Sequence, residues 1–177
     1  MATLPKAEKL WTVEEYLRTS WHPDRELVDG RIEERNLGEK EHSILQRYLT
    51  FLFTLKRDEW GVEVFPELRT QTKATNFRVP DVLVVRAEDK FKRYITKPPL
   101  IAIEILSPED EMPDVRKKAA EYRLFGVENI WVIDSDRRIA LRYAESDFEE
   151  VSRGELTVPG TPIGVGLSEM FAELDRV

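Results

Sequence analysis

The sequence has no cysteine and only two histidines, His22 and His42. The first absence excludes disulfides and cysteine-ligated zinc, and the second leaves too few imidazoles for a histidine-rich metal site. No apolar run approaches the ~20 residues that span a bilayer, and the N-terminal stretch lacks the form of a signal peptide. The expectation is a cytoplasmic protein with no membrane partner. Excess positive charge is missing too. A net charge of −7 argues against a protein that coats DNA nonspecifically. It leaves room for a local basic patch beside a cluster of carboxylates.

What the chain has in quantity is charge, 34% of residues, alongside 41% apolar residues. That is the composition of a globular protein with a highly charged surface. Its 177 residues are most simply one domain, residues 1–177, long enough to bury most of the surface its unfolded chain exposes. No internal repeat, low-complexity tract or linker calls for a second.

The organising stretch runs from Arg78 to Gly126. Within Leu100-Ile101-Ala102-Ile103-Glu104-Ile105-Leu106 the apolar run is broken only by Glu104, and prolines flank it on both sides. Such a run reads as a strand buried on both faces. An ionised carboxylate there loses several kcal/mol of solvation unless a metal or cation compensates it. A strand-end glutamate that reaches solvent or pairs with an arginine is the alternative. Asp81 has a similar setting at the head of Val82-Leu83-Val84-Val85, where Pro80 marks the strand's start. An aspartate in that place also suits an ordinary turn. Paired across neighbouring strands, the two acids form a candidate metal site.

A helix is expected from Asp114 to Gly126, with Val115, Ala119, Tyr122 and Gly126 on one face. Lys118 shares that face, whereas Lys117 points the other way, near Glu121 and Leu124. A lysine on a buried face either snorkels or meets buried anions, and Asp81 and Glu104 are the candidates. Two carboxylates suit Mg²⁺, with Mn²⁺ as a substitute, because magnesium takes a few hard oxygens and retains several waters. The metal would polarise a phosphate and acidify water, while Lys118 orients that water and offsets charge on the pentavalent state. The expected catalytic set is Asp81, Glu104 and Lys118.

The blocks Glu26-Leu27-Val28-Asp29-Gly30, Glu41-His42, Val79-Pro80-Asp81 and Glu104-Ile105-Leu106-Ser107-Pro108 follow in order. Lys118, Tyr122, Gly126-Val127 and Trp131-Val132-Ile133-Asp134 come after them. Together, over roughly Thr12 to Tyr143, they resemble the Uma-two family of restriction-endonuclease-like nucleases in the PD-(D/E)XK superfamily. The resemblance implies an α/β fold, a central mixed sheet with flanking helices, and Asp81 and Glu104 as metal ligands. It implies a nucleic-acid partner, expected to be DNA, and phosphodiester hydrolysis. The superfamily pattern wants lysine two residues after the second acid, where this chain has Leu106. The resemblance suggests that the lysine has moved to the next helix as Lys118. The first core helix of such folds often contributes an acid, which makes Glu41 a candidate outer ligand. His42 would orient a phosphate or carboxylate, or else serve as a satisfied structural group. Glu26 falls in a matched block and is either near the site or an ordinary exposed strand residue. A nuclease scaffold that binds or assembles without turnover is the alternative function, and a homodimer is the default oligomer.

Elsewhere, Met1 to Leu10 is a loose lead, and Thr12 to Glu15 has capping-box spacing for a helix over Val13 to Arg18. Glu26 to Glu33 reads as a hairpin turning at Asp29-Gly30. The longest helix, Glu39 to about Asp58, has Leu45, Leu49, Leu52 and Phe53 inward, and Phe51 and Leu55 widen the apolar arc. A core strand is expected within residues 61–72, then a loop over residues 72–77. Lys90 to Lys97 mixes cations with aromatics, as a solvated loop or a nucleic-acid contact. Asn129 to Asp134 reads as a buried strand, Arg138 to Tyr143 as its hairpin partner, then Phe148 to Arg153 and Leu156 to Val158. Ile163 to Leu174 should dock as a strand or short helix.

Overall fold

A computed structural model describes residues 9–36, 38–151 and 153–176. Most of the expected N-terminal lead, and Ser152 in the expected strand of residues 148–153, lie outside the described residues. The chain opens with α1 (Val13–Arg18), the hairpin β1 (Glu26–Val28) and β2 (Arg31–Glu33), and the long α2 (Lys40–Trp60). Next come β3 (Val62–Pro66), β4 (Thr70–Lys73), β5 (Asn76–Arg78), β6 (Val82–Arg86) and β7 (Ile101–Ile105). Helix α3 (Met112–Phe125) leads to β8 (Asn129–Asp134), β9 (Ile139–Ala144), β10 (Asp147–Val151), β11 (Glu155–Thr157) and β12 (Gly164–Gly166). Helix α4 (Leu167–Ala172) and a 3₁₀ turn (Glu173–Asp175) close the described chain.

Local chemistry sets the ends of several elements. Thr12 Oγ1 accepts from Glu15 N–H while the Glu15 carboxylate accepts from Thr12 N–H, so α1 starts on a full capping box. Asp29 and Gly30 take φ of 48° and 80°, which closes the β1–β2 hairpin. Helix α3 stops at Gly126, whose φ is 110° and where a Cβ would come 2.8 Å from Pro98 Cγ. Only glycine fits there.

A six-stranded mixed sheet, in the order β10-β9-β8-β7-β6-β3, forms the centre. All its pairs are antiparallel except β7 with β8, and α3 supplies the crossover that a parallel pair requires. Strand β7 sorts its side chains by alternation. Ile101, Ile103 and Ile105 pack with Leu45, Leu49 and Phe53 of α2, whereas Ala102 packs with Ala119 and Tyr122 of α3. Glu104, two residues after Ala102, therefore faces α3. Burying each large apolar side chain contributes about 1.5–3 kcal/mol, so this two-sided packing fixes β7 firmly between the helices.

Three expectations change. The stretch over residues 61–72 is two strands in two sheets: β3 edges the six-stranded sheet and ends at Pro66, while β4 joins a second sheet ordered β2-β1-β5-β4. The expected loop over residues 72–77 is instead the β4–β5 hairpin. Phe51 and Leu55 do not extend the inner face of α2, since they are 63% and 65% exposed. Phe91 packs edge-on to Phe65 and Tyr94 edge-on to Phe77, so the rings of residues 90–97 are tied to the protein's own aromatics.

Candidate active site

Asp81 sits one residue before β6. The antiparallel register pairs Val82 with Ile103, so one further step sets Asp81 across from Glu104. The bond from Ile105 N–H to Asp81 Oδ2, 2.8 Å, closes that end of the ladder with a side chain. Helix α2 fixes the same residue from the other side, one turn at a time. His42 Nε2 lies 3.3 Å from Asp81 Oδ2, and Gln46 Nε2 donates to the Asp81 carbonyl at 2.9 Å. Arg35 Nη2, from the segment between β2 and α2, donates to Oδ1 at 2.9 Å.

Helix α3 treats Glu104 in a matching way. Lys118 Nζ lies 2.9 Å from Glu104 Oε2, and Tyr122, one turn later, donates its hydroxyl to Oε1 at 2.6 Å. The two lysines part as the helix phase requires: the Lys117 side chain is 75% exposed on Asp114, and that of Lys118 is 18% exposed among carboxylates. Lys118 also reaches Glu26 Oε1 at 2.9 Å. Glu26 is buried, accepts from Val79 N–H, and is held by Arg78 Nη1 at 2.8 Å.

Asp81, Glu104, Lys118, Glu26 and His42 thus line one cleft of about 490 Å³. Glu41 does not join them. One residue before His42 on α2, it is turned about 100° away around the helix axis, and it is half-buried outside the cleft wall.

The electrostatics distinguish the three acids. Burial works against the charge of Glu26, but Lys118 and Arg78 outweigh it and hold its pKa down to about 2. Burial likewise opposes the Asp81 charge, and His42, Lys118 and the Ile105 N–H win, leaving its pKa below the ordinary value. For Glu104 the balance reverses. Burial and the neighbouring Asp81 and Glu26 charges prevail over Lys118 and push its pKa up to about 7. Burial opposes the Lys118 charge, yet Glu104, Glu26 and Asp81 keep it firmly protonated.

Glu104 is therefore the acid whose charge its neighbours compensate least, and a hard divalent cation would favour its ionised form. Among the described residues no three histidine or acidic side chains are grouped as a ready-made metal cage. Two facing carboxylates nonetheless fit magnesium, which keeps several waters and takes the rest of its shell from one or two acids.

The sequence profile of the Uma2 family, described as "Putative restriction endonuclease", matches residues 13–168. The chain belongs to the Uma2 family. Its fold is that of a crystallised "putative nuclease belonging to DUF820" from Anabaena variabilis, with a TM-score of 0.78 and 22% identity. That likeness covers 92% of this chain and 98% of the other. A partial likeness to a chain of the DrdV–DNA complex covers 60% of this chain and 10% of that one. At 18% identity and a TM-score of 0.42, it carries no argument. No curated protein matches the sequence.

This Uma2 chain also holds residues that its sequence did not single out. Arg78 lies at the centre of a buried ionic cluster, donating to Glu26, Glu33 and Glu121. Glu121 is buried rather than on the solvent side of α3. It accepts from Thr72, Asn76 and Arg78, because α3 packs against the β4–β5 hairpin as well as the central sheet. An arginine two residues before the Pro80-Asp81 pair was the one available signal. Arg35 gave none.

Proposed function

We propose that this chain is a magnesium-dependent endonuclease that hydrolyses phosphodiester bonds of nucleic acid, with DNA as substrate and Mn²⁺ able to replace Mg²⁺. The observation that carries the reading is the convergence of Asp81 and Glu104, from paired strands, with the inward Lys118 of the following helix. Asp81 and Glu104 would hold the metal, which supplies positive charge to polarise the scissile phosphate and to acidify water. Lys118 donates one N–H to Glu104 and lies in ion-pair contact with Glu26 at 2.9 Å, and an ammonium with three donors can also serve a water or phosphate oxygen. Three carboxylates keep that ammonium charged, so Lys118 orients and neutralises; it does not abstract a proton. Glu26, clamped by Arg78 and Val79 N–H, holds the lysine in place. Tyr122 fixes the rotamer of Glu104.

A second reading, a nuclease scaffold that binds or assembles without turnover, draws on the mouth of the cleft. Glu33, Glu34, Glu109, Asp110, Glu111 and Asp114 line it, an acidic rim that would repel a polyanion. One assay separates the two. Purified protein is incubated with DNA, RNA and a small phosphodiester, with Mg²⁺ or with chelator. Metal-dependent cleavage of DNA that Glu104→Gln abolishes supports the endonuclease. No cleavage of any substrate supports the inert scaffold, and cleavage of the small diester alone assigns a different hydrolase.

A further inference from the structure

Every oxygen of Asp81 already has a partner. Ile105 N–H and His42 Nε2 converge on Oδ2, and Arg35 occupies Oδ1. These three partners are not equally fixed. Ile105 belongs to β7 inside the central sheet, and His42 projects from the first turn of the 21-residue α2. Arg35 comes from the irregular segment between β2 and α2, and its other anchor is Glu67 Oε1 at 3.0 Å, a half-exposed side chain just after β3. Burial opposes the charge of Arg35, while Asp81, Glu67 and Glu104 together hold it. Its guanidinium is therefore within electrostatic reach of both acids to which the metal is assigned.

We propose that Arg35 is a resident cation that a divalent metal must displace from Asp81, so that arginine and metal compete for one carboxylate. The inference rests on the metal-site reading above. Two cationic groups pressed against Asp81 and Glu104 in one narrow cleft repel each other strongly where water is scarce. Of the groups on Asp81, only the arginine combines a long rotatable side chain with an irregular backbone, and it is the one that leaves. In metal-free protein Arg35 spares Asp81 the penalty of an unpaired buried charge. Once freed, its planar fork suits a phosphate oxygen.

The test is calorimetric titration of metal-free, full-length protein with Mn²⁺, comparing wild type, Arg35→Ala, Arg35→Lys and Asp81→Asn. Arg35→Ala is expected to bind Mn²⁺ about tenfold more tightly than wild type. Arg35→Lys keeps the charge and should stay near wild type, and Asp81→Asn should lose binding. A purely structural role for Arg35 would move affinity the other way. Thermal melts guard against a folding defect: Arg35→Ala should melt lower without metal and gain more from saturating Mn²⁺ than wild type gains. If Arg35→Ala does not melt cooperatively, Arg35→Gln carries the same expectation. Equal or weaker Mn²⁺ affinity in a cooperatively folded arginine variant, with Asp81→Asn still abolishing binding, overturns the competition and leaves the metal site standing. Undetectable Mn²⁺ binding to wild type and arginine variant alike overturns both.

Discussion

Lys118 Nζ lies 2.9 Å from Glu104 Oε2 and 2.9 Å from Glu26 Oε1, so one half-buried ammonium ties α3 to β7 and to β1. Its neighbour Lys117 points into solvent. The position of the amine, one helix beyond the second acid, gives the first prediction. Lys118→Ala should lower cleavage by about 10²–10³-fold, the usual loss on removing one preorganised stabilising group. Lys117→Ala should leave cleavage unchanged. Leu106 lines the same cleft, so Leu106→Lys in a Lys118→Ala background should restore part of the rate. Single-turnover rates on a DNA substrate check all three; equal losses at Lys117 and Lys118 would refute the assignment.

Asp81→Asn and Glu104→Gln should each abolish metal-dependent cleavage and leave the fold intact. Their stabilities should diverge. Asn at position 81 forfeits the charge that Arg35 and His42 pair with, and metal-free protein should melt lower. Gln at position 104 removes a carboxylate whose ionisation burial opposes, and at pH 8 metal-free protein should melt at or above wild type. Thermal melts without metal read both effects.

The pH dependence of stability follows from opposed shifts. Glu104 is raised from 4.5 to about 7, and His42 lies above its ordinary 6.5 because Asp81 outweighs the effect of burial. Both bind protons more tightly when folded, so their stabilisation is full below the unfolded pKa and is lost as pH rises through the folded one. Glu26 is lowered from 4.5 to about 2, so its contribution is present above 4.5 and is lost as pH falls toward 2. Metal-free protein should melt higher at pH 5.5 than at pH 8 and lose stability steeply below about pH 4. Mg²⁺ should raise the melt most at pH 8, where Glu104 is ionised. A metal-free melting temperature that climbs steadily from pH 5.5 to 8 would contradict the Glu104 shift.

Arg78 joins Glu26 and Glu121 in the interior and reaches the exposed Glu33. Arg78→Ala leaves buried Glu121 without its cation and Glu26 with Lys118 alone, and should destabilise the protein by about 3–5 kcal/mol. Arg78→Lys should recover only part of that, because an ammonium cannot reproduce the fork that meets Glu121 through both Nε and Nη2. Urea denaturation gives the comparison, and indistinguishable lysine and arginine proteins would show that geometry is unimportant there.

Features encoded locally were legible in the sequence. The capping box at Thr12 and the Asp29-Gly30 turn each depend on a few adjacent residues. Alternation and helix phase went further, setting Glu104 inside a buried strand and Lys118 on the inner face of α3. What periodicity could not convey was which faces find a partner. Phe51 and Leu55 fit the apolar arc of α2 but reach solvent, and Glu121 fits a polar face but is buried under the β4–β5 hairpin. The hairpin itself was missed because Thr70 and Thr72 are buried polar residues, which blur the alternation that marks a strand. Arg35 and Arg78 meet their acids 46 and 52 residues away in the chain. No local pattern announces such pairs.

The most direct measurement is anomalous diffraction from a crystal soaked in Mn²⁺. The account predicts a peak between the Asp81 and Glu104 carboxylates, with Arg35 withdrawn from Asp81 Oδ1. No peak in the cleft, with Asp81 still paired to Arg35 and Glu104 to Lys118 at saturating metal, would contradict it.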